Sequence, residues 1–481
     1  MASTEHPTKR ARTKIVSTLG PVSSSPEMIE KLILEGVDVF RINMAHGKRE
    51  EHQLVFDRIR EVSETVGRPI AILVDLAGPK IRLGELFQDP KVCMVGEEIR
   101  FVPGAETKSS SEFTTNYESL IEELSAGDNV MLADGTVALK VVAVEDGEAV
   151  CEVTEGGIVR SRQGVNLPGV SLSVPAMTGR DHENAHWASR AGADFISLSF
   201  VRTPLEIVEL KQIIREHASN AMVIAKIEKR EALQRLDEII MAADGVMVAR
   251  GDLGVEIDVA ETPMAQKRII SKCQMYSKPV IVATQMLDSM HHSTRPTRAE
   301  ASDVANAILD GADACMLSGE TAIGDYPVEA VAMMNRIMLN TESSLVDMPE
   351  YAVPKVADGV QLVTSAVVYG AARIADRLDA KLVVIATRTG NTARIKAKQR
   401  DYIPTVGVSR NLSTLRQLCL FWGISPLRGM PLDSGEDLRA AVENWGREQG
   451  ILTDGDYAVF VTSSTFGTLG HDELFVHQIE D

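Results

Sequence analysis

Between Thr13 and Ser318 the chain alternates short, continuous apolar runs with longer segments whose apolar residues recur every three or four positions. The short runs read as strands buried on both faces, and the longer segments as amphipathic helices. The eight runs are Thr13–Gly20, Val37–Met44, Ile70–Leu76, Phe195–Phe200, Met222–Ile227, Gly245–Ala249, Pro279–Thr284 and Ala314–Ser318. Helical patterns follow them, among them Ser24–Leu34 (stopped by Gly36), Glu50–Val66 and Glu231–Ala243. Regular alternation predicts βαβ units with a parallel sheet, and eight such units predict a (β/α)8 TIM barrel.

From Lys80 to about Val174 the rhythm changes. Runs become short and valine-rich, with turns at Asp134-Gly135 and Asp146-Gly147, and no long amphipathic helix intervenes. This predicts an all-β domain inserted after the third strand. Insertions at the catalytic face of a barrel often act as lids. Beyond Ser343, helical Val360–Leu378 and Asn391–Gln399 alternate with strands at Leu382–Ala386, Thr405–Val408, Ala458–Thr462 and Leu474–Ile479. That pattern predicts a three-layer α/β domain. The expected division is a flexible N-terminus (1–12), a catalytic barrel (13–78 and 175–342), a β-rich lid (79–174) and a C-terminal α/β domain (343–481).

In a parallel barrel the chemistry lies at the carboxyl ends of the strands. There the fifth and sixth runs place one ammonium and two carboxylates: Lys226, Glu228 and Asp252. Mg²⁺ takes one or two carboxylates together with water and substrate phosphate. A neighbouring lysine neutralises a phosphoryl group in transfer or an enolate. Polar residues recur at the same edge: Arg41 and Asn43, Asp75, Ser199, Thr284 and Gln285, Ser318 and Glu320. A single Ser or Thr there would ordinarily cap the next helix, but capping explains poorly why so many gather on one rim.

Net charge is −18 and aromatics are 4% of residues, which argues against nucleic acid or an anionic membrane as partner. The five cysteines are scattered and form no CxxC, as in a reduced, cytoplasmic protein. The first residues carry no apolar signal region, and no apolar run reaches membrane-spanning length. There is no GxxxxGK[ST] and no GxGxxG, so a nucleotide must be held another way. His182-Glu183-Asn184-Ala185-His186 matches HExxH, the zinc-protease helix. It lacks a third ligand at a metzincin spacing and precedes the fourth strand, so it reads as an exposed polar helix. His291-His292 reads as a solvated loop. Thr387, Thr389, Gly390, Asn391 and Thr392 follow a strand and open a helix, which suits either an anion site or an ordinary helix cap.

The runs RINMAHG, VDLAGPKIR, AKIEKR, MVARGDLG, ATQML with RPTRAEASDVANAILDGAD, and MLSGETAIGDYP closely resemble pyruvate kinase. The likeness runs from about Thr13 into the C-terminal domain and is strongest from Lys226 to Pro327. It implies transfer of the phosphoryl group of phosphoenolpyruvate to ADP, giving pyruvate and ATP. Lys226 would stabilise the transferring group and the enolate, and Glu228 and Asp252 would hold Mg²⁺ (or Mn²⁺). Backbone N–H groups around Gly251 and Asp252, with Thr284, would take the substrate carboxylate, and Arg41 the phosphate. Asn43, His46, Arg82 and Arg162 would face the nucleotide, with Asp134 on the lid. Ser318 and Glu320 would lie near the protonation of the enolate. The resemblance also implies a homotetramer, and at Thr387–Thr392 a phosphate loop that senses a sugar phosphate. Ser463–Asp472 opposite it has no basic residue to name the ligand.

The chain departs from the family at Ala45, where serine is usual, at Lys80, where many members have glutamate, and at Gln163, Leu198 and Met177–Asp181. Many members need K⁺, ligated by asparagine, serine, aspartate and a backbone carbonyl. Here Asn43, Asp75 and the Leu76 carbonyl remain, Ala45 cannot ligate, and Lys80 brings a tethered cation. We therefore expect K⁺ not to be required, with Lys80 neutralising Asp75. Two other readings stay open: a catalytically silent, metabolite-binding regulator, and a barrel lyase or mutase acting on phosphoenolpyruvate.

Overall fold

The structure, a computed structural model, describes residues 10–170, 172–345, 362–462 and 473–480. Eight parallel strands close into a barrel in chain order: Lys14–Thr18, Val37–Asn43, Ala71–Asp75, Phe195–Leu198, Met222–Ile227, Gly245–Ala249, Val280–Ala283 and Ala314–Leu317. The first pairs with the eighth from Lys14 opposite Ala314. Alternate side chains of a strand point to opposite faces. Ile15, Phe40, Ile72, Val74, Ile196 and Val223 pack outward against Leu32, Ile59 and Ile207 of the surrounding helices. Val16, Val39, Leu73, Phe195, Ile224 and Met247 form an inner cluster that continues into Leu420, Phe421 and Trp422 of the C-terminal domain. The floor of the barrel is thus plugged by the C-terminal domain, and its upper rim is left for chemistry.

Helix starts follow local capping. Ser25 accepts the Met28 N–H at the start of Pro26–Glu35, and Gly36 ends it at φ 130°. The expected helix Glu231–Ala243 is instead two short helices, Arg230–Gln234 and Leu236–Ala242, because Arg235 between them adopts φ −110°, ψ 27°. Both still bury their apolar face through Ala232, Leu236, Ile239 and Ile240.

After the third strand the chain builds a six-stranded sheet and a two-stranded ribbon. They close over Phe101, Phe113, Val130, Leu139 and Val141. Both ends of this lid are fastened to the barrel. At the entrance, Ala77 and Gly78 N–H donate to Asp181 Oδ1 at 3.1 and 3.4 Å. At the exit, Arg202 donates to the carbonyls of Leu172 and Val174 at 2.7 and 2.8 Å.

The C-terminal sheet has five strands, in the order Ile424–Leu427, Thr405–Val408, Leu382–Ala386, Tyr457–Thr462 and Glu473–Gln478. The first of these was not expected, because it carries Pro426. As the edge strand it has one side without a ladder, where proline's missing donor is tolerated. Residues Arg10–Arg12, expected within a flexible end, are tied down: Arg10 donates to Ile33 O at 2.8 Å, Ala11 N–H to Asn335 at 3.1 Å and Arg12 N–H to Glu342 at 2.8 Å. Glu342 is buried and needs those donors. Residues 1–9 and the loop Ser463–Asp472 lie outside the described residues. Among the described residues no helix is long and apolar enough to cross a membrane. All five cysteines are free and buried.

Candidate active site

Closure of the barrel brings Arg41, Asp75, Ser197, Lys226 and Glu228 together from four neighbouring strands. Asp75, 1% exposed, is the hub. Arg41 donates to its Oδ2 through Nε at 2.8 Å and Nη2 at 2.5 Å. Ser197 donates to its Oδ1 at 2.6 Å, and Lys226 Nζ lies 3.5 Å from the same oxygen. Burial alone would raise the Asp75 pKa. The charges of Lys226 and Arg41 and the hydrogen bonds from Ser197 and Arg41 outweigh it and hold the pKa below the usual carboxylate value. Arg41 Nη1 donates to Thr18 at 3.0 Å, which fixes the guanidinium's plane.

Lys226 donates to Ser199 Oγ at 2.7 Å and pairs with Glu228 Oε1 at 2.9 Å. Ser199 passes the bond on to the Leu76 carbonyl at 2.7 Å. Burial disfavours the ammonium, but Asp75 and Glu228 overcome this and lift its pKa above the ordinary lysine value. Lys226 is therefore a fixed positive charge. Glu228 is also buried, and accepts the Phe200 N–H at 2.8 Å. Its pKa is raised by burial, which Lys226 offsets in part and the nearby charge of Asp252 reinforces.

Asp252 stands in the first turn of the short helix Arg250–Glu256, directly after the sixth strand. Its ion-pair partner is Lys80, 3.7 Å away across the lid cleft. The expectation had placed the Lys80 ammonium on Asp75. That carboxylate is already taken by Arg41, Ser197 and Lys226, and Lys80 reaches the unclaimed Asp252 instead. Gly164 of the lid packs against this lysine: a Cβ there would lie 3.2 Å from Lys80 Cε and 3.7 Å from Asp134 Oδ1.

Thr284 and Gln285 follow the seventh strand with φ of 68° and 55°. The left-handed region costs such residues about 1–3 kcal/mol each. Thr284 Oγ1 donates to Ala283 O at 2.7 Å and accepts the Gly251 N–H at 2.9 Å. After the eighth strand, Glu320 is 2% exposed and accepts the N–H groups of Ser318 at 2.7 Å and Leu287 at 3.1 Å. It shapes the rim through these two backbone bonds. The Ser318 hydroxyl is buried without a partner among the described residues.

The residues expected at the nucleotide fall into two groups. Asn43 accepts the Ala45 N–H at 3.1 Å, and the His46 carbonyl meets His52 Nε2 at 2.8 Å, both on the barrel. Arg82 donates to the Arg162 carbonyl at 3.1 Å, and Arg162 Nε to Glu85 at 2.7 Å, both on the lid. Among the described residues no hydrogen bond or ion pair joins the groups.

The HExxH residues turn to separate partners: His182 to Glu209 at 3.4 Å, Glu183 to Arg49 at 2.8 Å and His186 to His217 at 2.8 Å. His291, read as solvated, is only 24% exposed in its side chain. Its ring packs where a Gly319 side chain would stand, with Cε1 2.1 Å from the Cβ position. In the C-terminal loop, the Thr387 hydroxyl accepts the Gly390 N–H at 3.0 Å, while Arg388 and Thr389 are exposed. Ser197, Thr18 and Arg250 were overlooked by sequence reasoning. Ser197 had a signal: with Ser199 it makes a pair two apart in an otherwise apolar strand, so both lie on one face.

Among the described residues no three His, Cys, Asp or Glu side chains are grouped to hold a metal. The donors at this rim are two carboxylates, Glu228 and Asp252, whose mutual repulsion a divalent cation would relieve. That donor set fits Mg²⁺, which needs few protein ligands when substrate phosphate completes the shell.

A closed barrel with an inserted β domain, whose strand ends gather cations and carboxylates, has the architecture of a barrel enzyme with a rim suited to a phosphorylated anion. Residues 10–331 match the pyruvate kinase barrel domain and residues 365–476 the pyruvate kinase alpha/beta domain. The chain is similar to the pyruvate kinase of Mycobacterium tuberculosis, at 41% identity over 97% of this chain and 98% of that one. It is 39% identical to that of Geobacillus stearothermophilus, over 98% of this chain and 81% of the relative. The solved structure of a pyruvate kinase from Cryptosporidium parvum matches with a TM-score of 0.90 at 32% identity, over 98% and 97% of the two chains. The chain belongs to the pyruvate kinase family.

Proposed function

We propose that the chain moves the phosphoryl group of phosphoenolpyruvate to ADP, with Lys226 as the central charge. The supporting observation is the Lys226 ammonium itself, buried, held charged, and 2.9 Å from Glu228 at the mouth of the barrel. The P–O bond to enolpyruvate breaks as the bond to the ADP terminal oxygen forms, and the enolate then takes a proton at carbon to become pyruvate. Such transfer asks for positioning and charge neutralisation more than covalent help. Arg41 and Lys226 face the phosphoryl group, and Lys226 stays to balance the enolate. Glu228 and Asp252 would hold Mg²⁺ or Mn²⁺, which when bound neutralises charge between phosphate oxygens. The N–H groups of Gly251 and Asp252, with Thr284, take the substrate carboxylate. Gly251 N–H donates to Thr284 Oγ1 at 2.9 Å, so the two stand side by side. The Ser318 hydroxyl, without a partner among the described residues and next to Glu320, suits, with Thr284 of the neighbouring strand end, a water that protonates the enolate. Asn43, His46, Arg82 and Arg162 meet ADP when the lid and barrel groups close on it.

The reading extends to several finer points. K⁺ is not required, because Ala45 cannot ligate and Lys80 brings a tethered cation to the rim, 3.7 Å from Asp252. Residues 79–174 act as lid. Residues 343–481 form a domain that binds a phosphorylated metabolite at Thr387–Thr392, where Arg388 and Thr389 are exposed. The enzyme is a cytoplasmic homotetramer.

A coupled assay of pyruvate formation from phosphoenolpyruvate and ADP tests the reading. Turnover with Mg²⁺ is the expected result, and Lys226→Met lowers it by about two decades or more. No turnover with Mg²⁺ or Mn²⁺ would leave the silent regulator, and consumption of phosphoenolpyruvate without ADP would leave the lyase or mutase.

A further inference from the structure

Arg250 has no part in the chemistry described above, yet its side chain is spent on the loop after the seventh strand. Its guanidinium donates through Nη2 to Thr284 O at 2.6 Å and Gln285 O at 3.3 Å, and through Nε to Ala283 O at 3.4 Å. Its remaining nitrogen is anchored on Asp303, with Nη1 2.6 Å from Oδ2 and 2.8 Å from Oδ1. The loop it grips contains the two consecutive left-handed residues Thr284 and Gln285, at φ 68° and 55°. Thr284 is β-branched, the residue type least suited to that region. Two such peptides in succession turn three carbonyls to one side, and the planar fork of an arginine satisfies them together.

We infer that Arg250 is a positioning residue for Thr284, which rests on the role given to Thr284 above. The clamp keeps the backbone in its strained conformation and so fixes where the Thr284 hydroxyl stands, beside Gly251 at the substrate side of the rim. Asp303 holds the clamp. Arg250 sits one residue before Gly251 and two before Asp252. The same side chain therefore ties the seventh-strand loop to the helix that carries the carboxylate-binding N–H groups and one metal carboxylate.

Lysine offers a single ammonium where three carbonyls need a fork, so Arg250→Lys removes the clamp and keeps the charge. It is expected to lower kcat by ~10- to 100-fold with KM for phosphoenolpyruvate changed less than about threefold, the cost of a misplaced group rather than a lost contact. Exchange of the pyruvate methyl protons with D₂O, which reports the enolate step alone, falls in parallel. Asp303→Asn is the milder second variant and shows the same pattern, smaller. Gln285→Gly relaxes the left-handed requirement, so in that background Arg250→Lys costs at least about fivefold less in kcat than in the native chain. Folding of each variant is checked by thermal melting. Native kcat in Arg250→Lys, or a cost unchanged in the Gln285→Gly background, would overturn the proposal. Thr284→Ala separates the two levels. If it too turns over normally, the role of Thr284 is wrong; if it is impaired while Arg250→Lys and Asp303→Asn are not, the clamp alone is wrong.

Discussion

Lys398 of the C-terminal domain and Asp313 of the barrel form an ion pair of 2.5 Å in which the side chains are 3% and 1% exposed. Asp313 also accepts the Val280 N–H at 2.7 Å and pairs with Arg400 at 3.1 Å. One carboxylate therefore serves the start of the seventh strand, the start of the eighth and the neighbouring domain. Removing one partner of a buried pair costs about 3–5 kcal/mol. Lys398→Met should sit at the low end, since Arg400 remains. The unfolding transition of the C-terminal domain, followed by differential scanning, should move down by several degrees. A melting profile identical to the native one would mean the pair contributes nothing net.

Asp75 is the hub of the candidate active site, and its removal should show in both rate and acid stability. Asp75→Asn leaves Arg41 and Lys226 without their shared counter-charge and should lower turnover by about two decades. The folded pKa of Asp75 lies below the model-peptide value. Its contribution to stability is thus complete above that unfolded value and is lost as pH falls through the folded one. Acid unfolding of the variant should accordingly be less steep below about pH 4 than that of the native protein. Equal steepness in the two would show that Asp75 has an ordinary pKa.

Lys278 predicts an effect at the alkaline end. It is half-buried near Arg394, and its partial burial, joined by the charge of Arg394, lowers its pKa to about 8. Between that value and the ordinary lysine pKa the unfolded chain holds a proton that the folded chain has lost. Stability from this group therefore rises with pH across the window, by at most about 3 kcal/mol. Relative to Lys278→Met, the native protein should gain melting temperature from pH 8 to pH 10. A difference that stays constant over that range would contradict the lowered pKa.

Turnover in tetramethylammonium buffer free of Na⁺ and K⁺ should stay within about twofold of its value in K⁺ at the same ionic strength, under ~0.5 kcal/mol in barrier. Lys80→Glu should lower activity, since it places a third carboxylate beside Asp252 and Glu228. Because Lys80 pairs with Asp252 at 3.7 Å, Lys80→Gln should also tighten Mn²⁺ binding in the absence of substrate, read by electron paramagnetic resonance. Tenfold stimulation of the native enzyme by K⁺ would refute the first point, and unchanged Mn²⁺ affinity the last.

The barrel was legible because buried parallel strands write themselves as unbroken apolar runs, and the fifth and sixth strands begin and end at the residues expected. The rim was legible for a related reason: Lys226, Glu228 and Asp252 interrupt or follow those runs, where charge needs a purpose. Partners were harder to read. Periodicity reports which face a residue occupies, not which of several carboxylates a flexible lysine will choose, so Lys80 was matched to Asp75. His291 looked solvated because nothing local reveals that Gly319, distant in sequence, leaves room for its ring. The Arg250 clamp depends on backbone dihedrals at Thr284 and Gln285 that neither residue type advertises. Pro426 hid an edge strand because the same residue would have broken an inner one.

The two fastenings of the lid restrict its motion. Asp181 grips the chain where it leaves the barrel, and Arg202 where it returns. A body held at two fixed posts has one easy rotation, about the line through them, as a door does. Sideways drift would have to break charge-assisted bonds at one post or the other. Arg82 and Arg162 both belong to this inserted domain, so a turn about that line would carry the two guanidinium groups together, and it would part Lys80 from Asp252, now 3.7 Å apart.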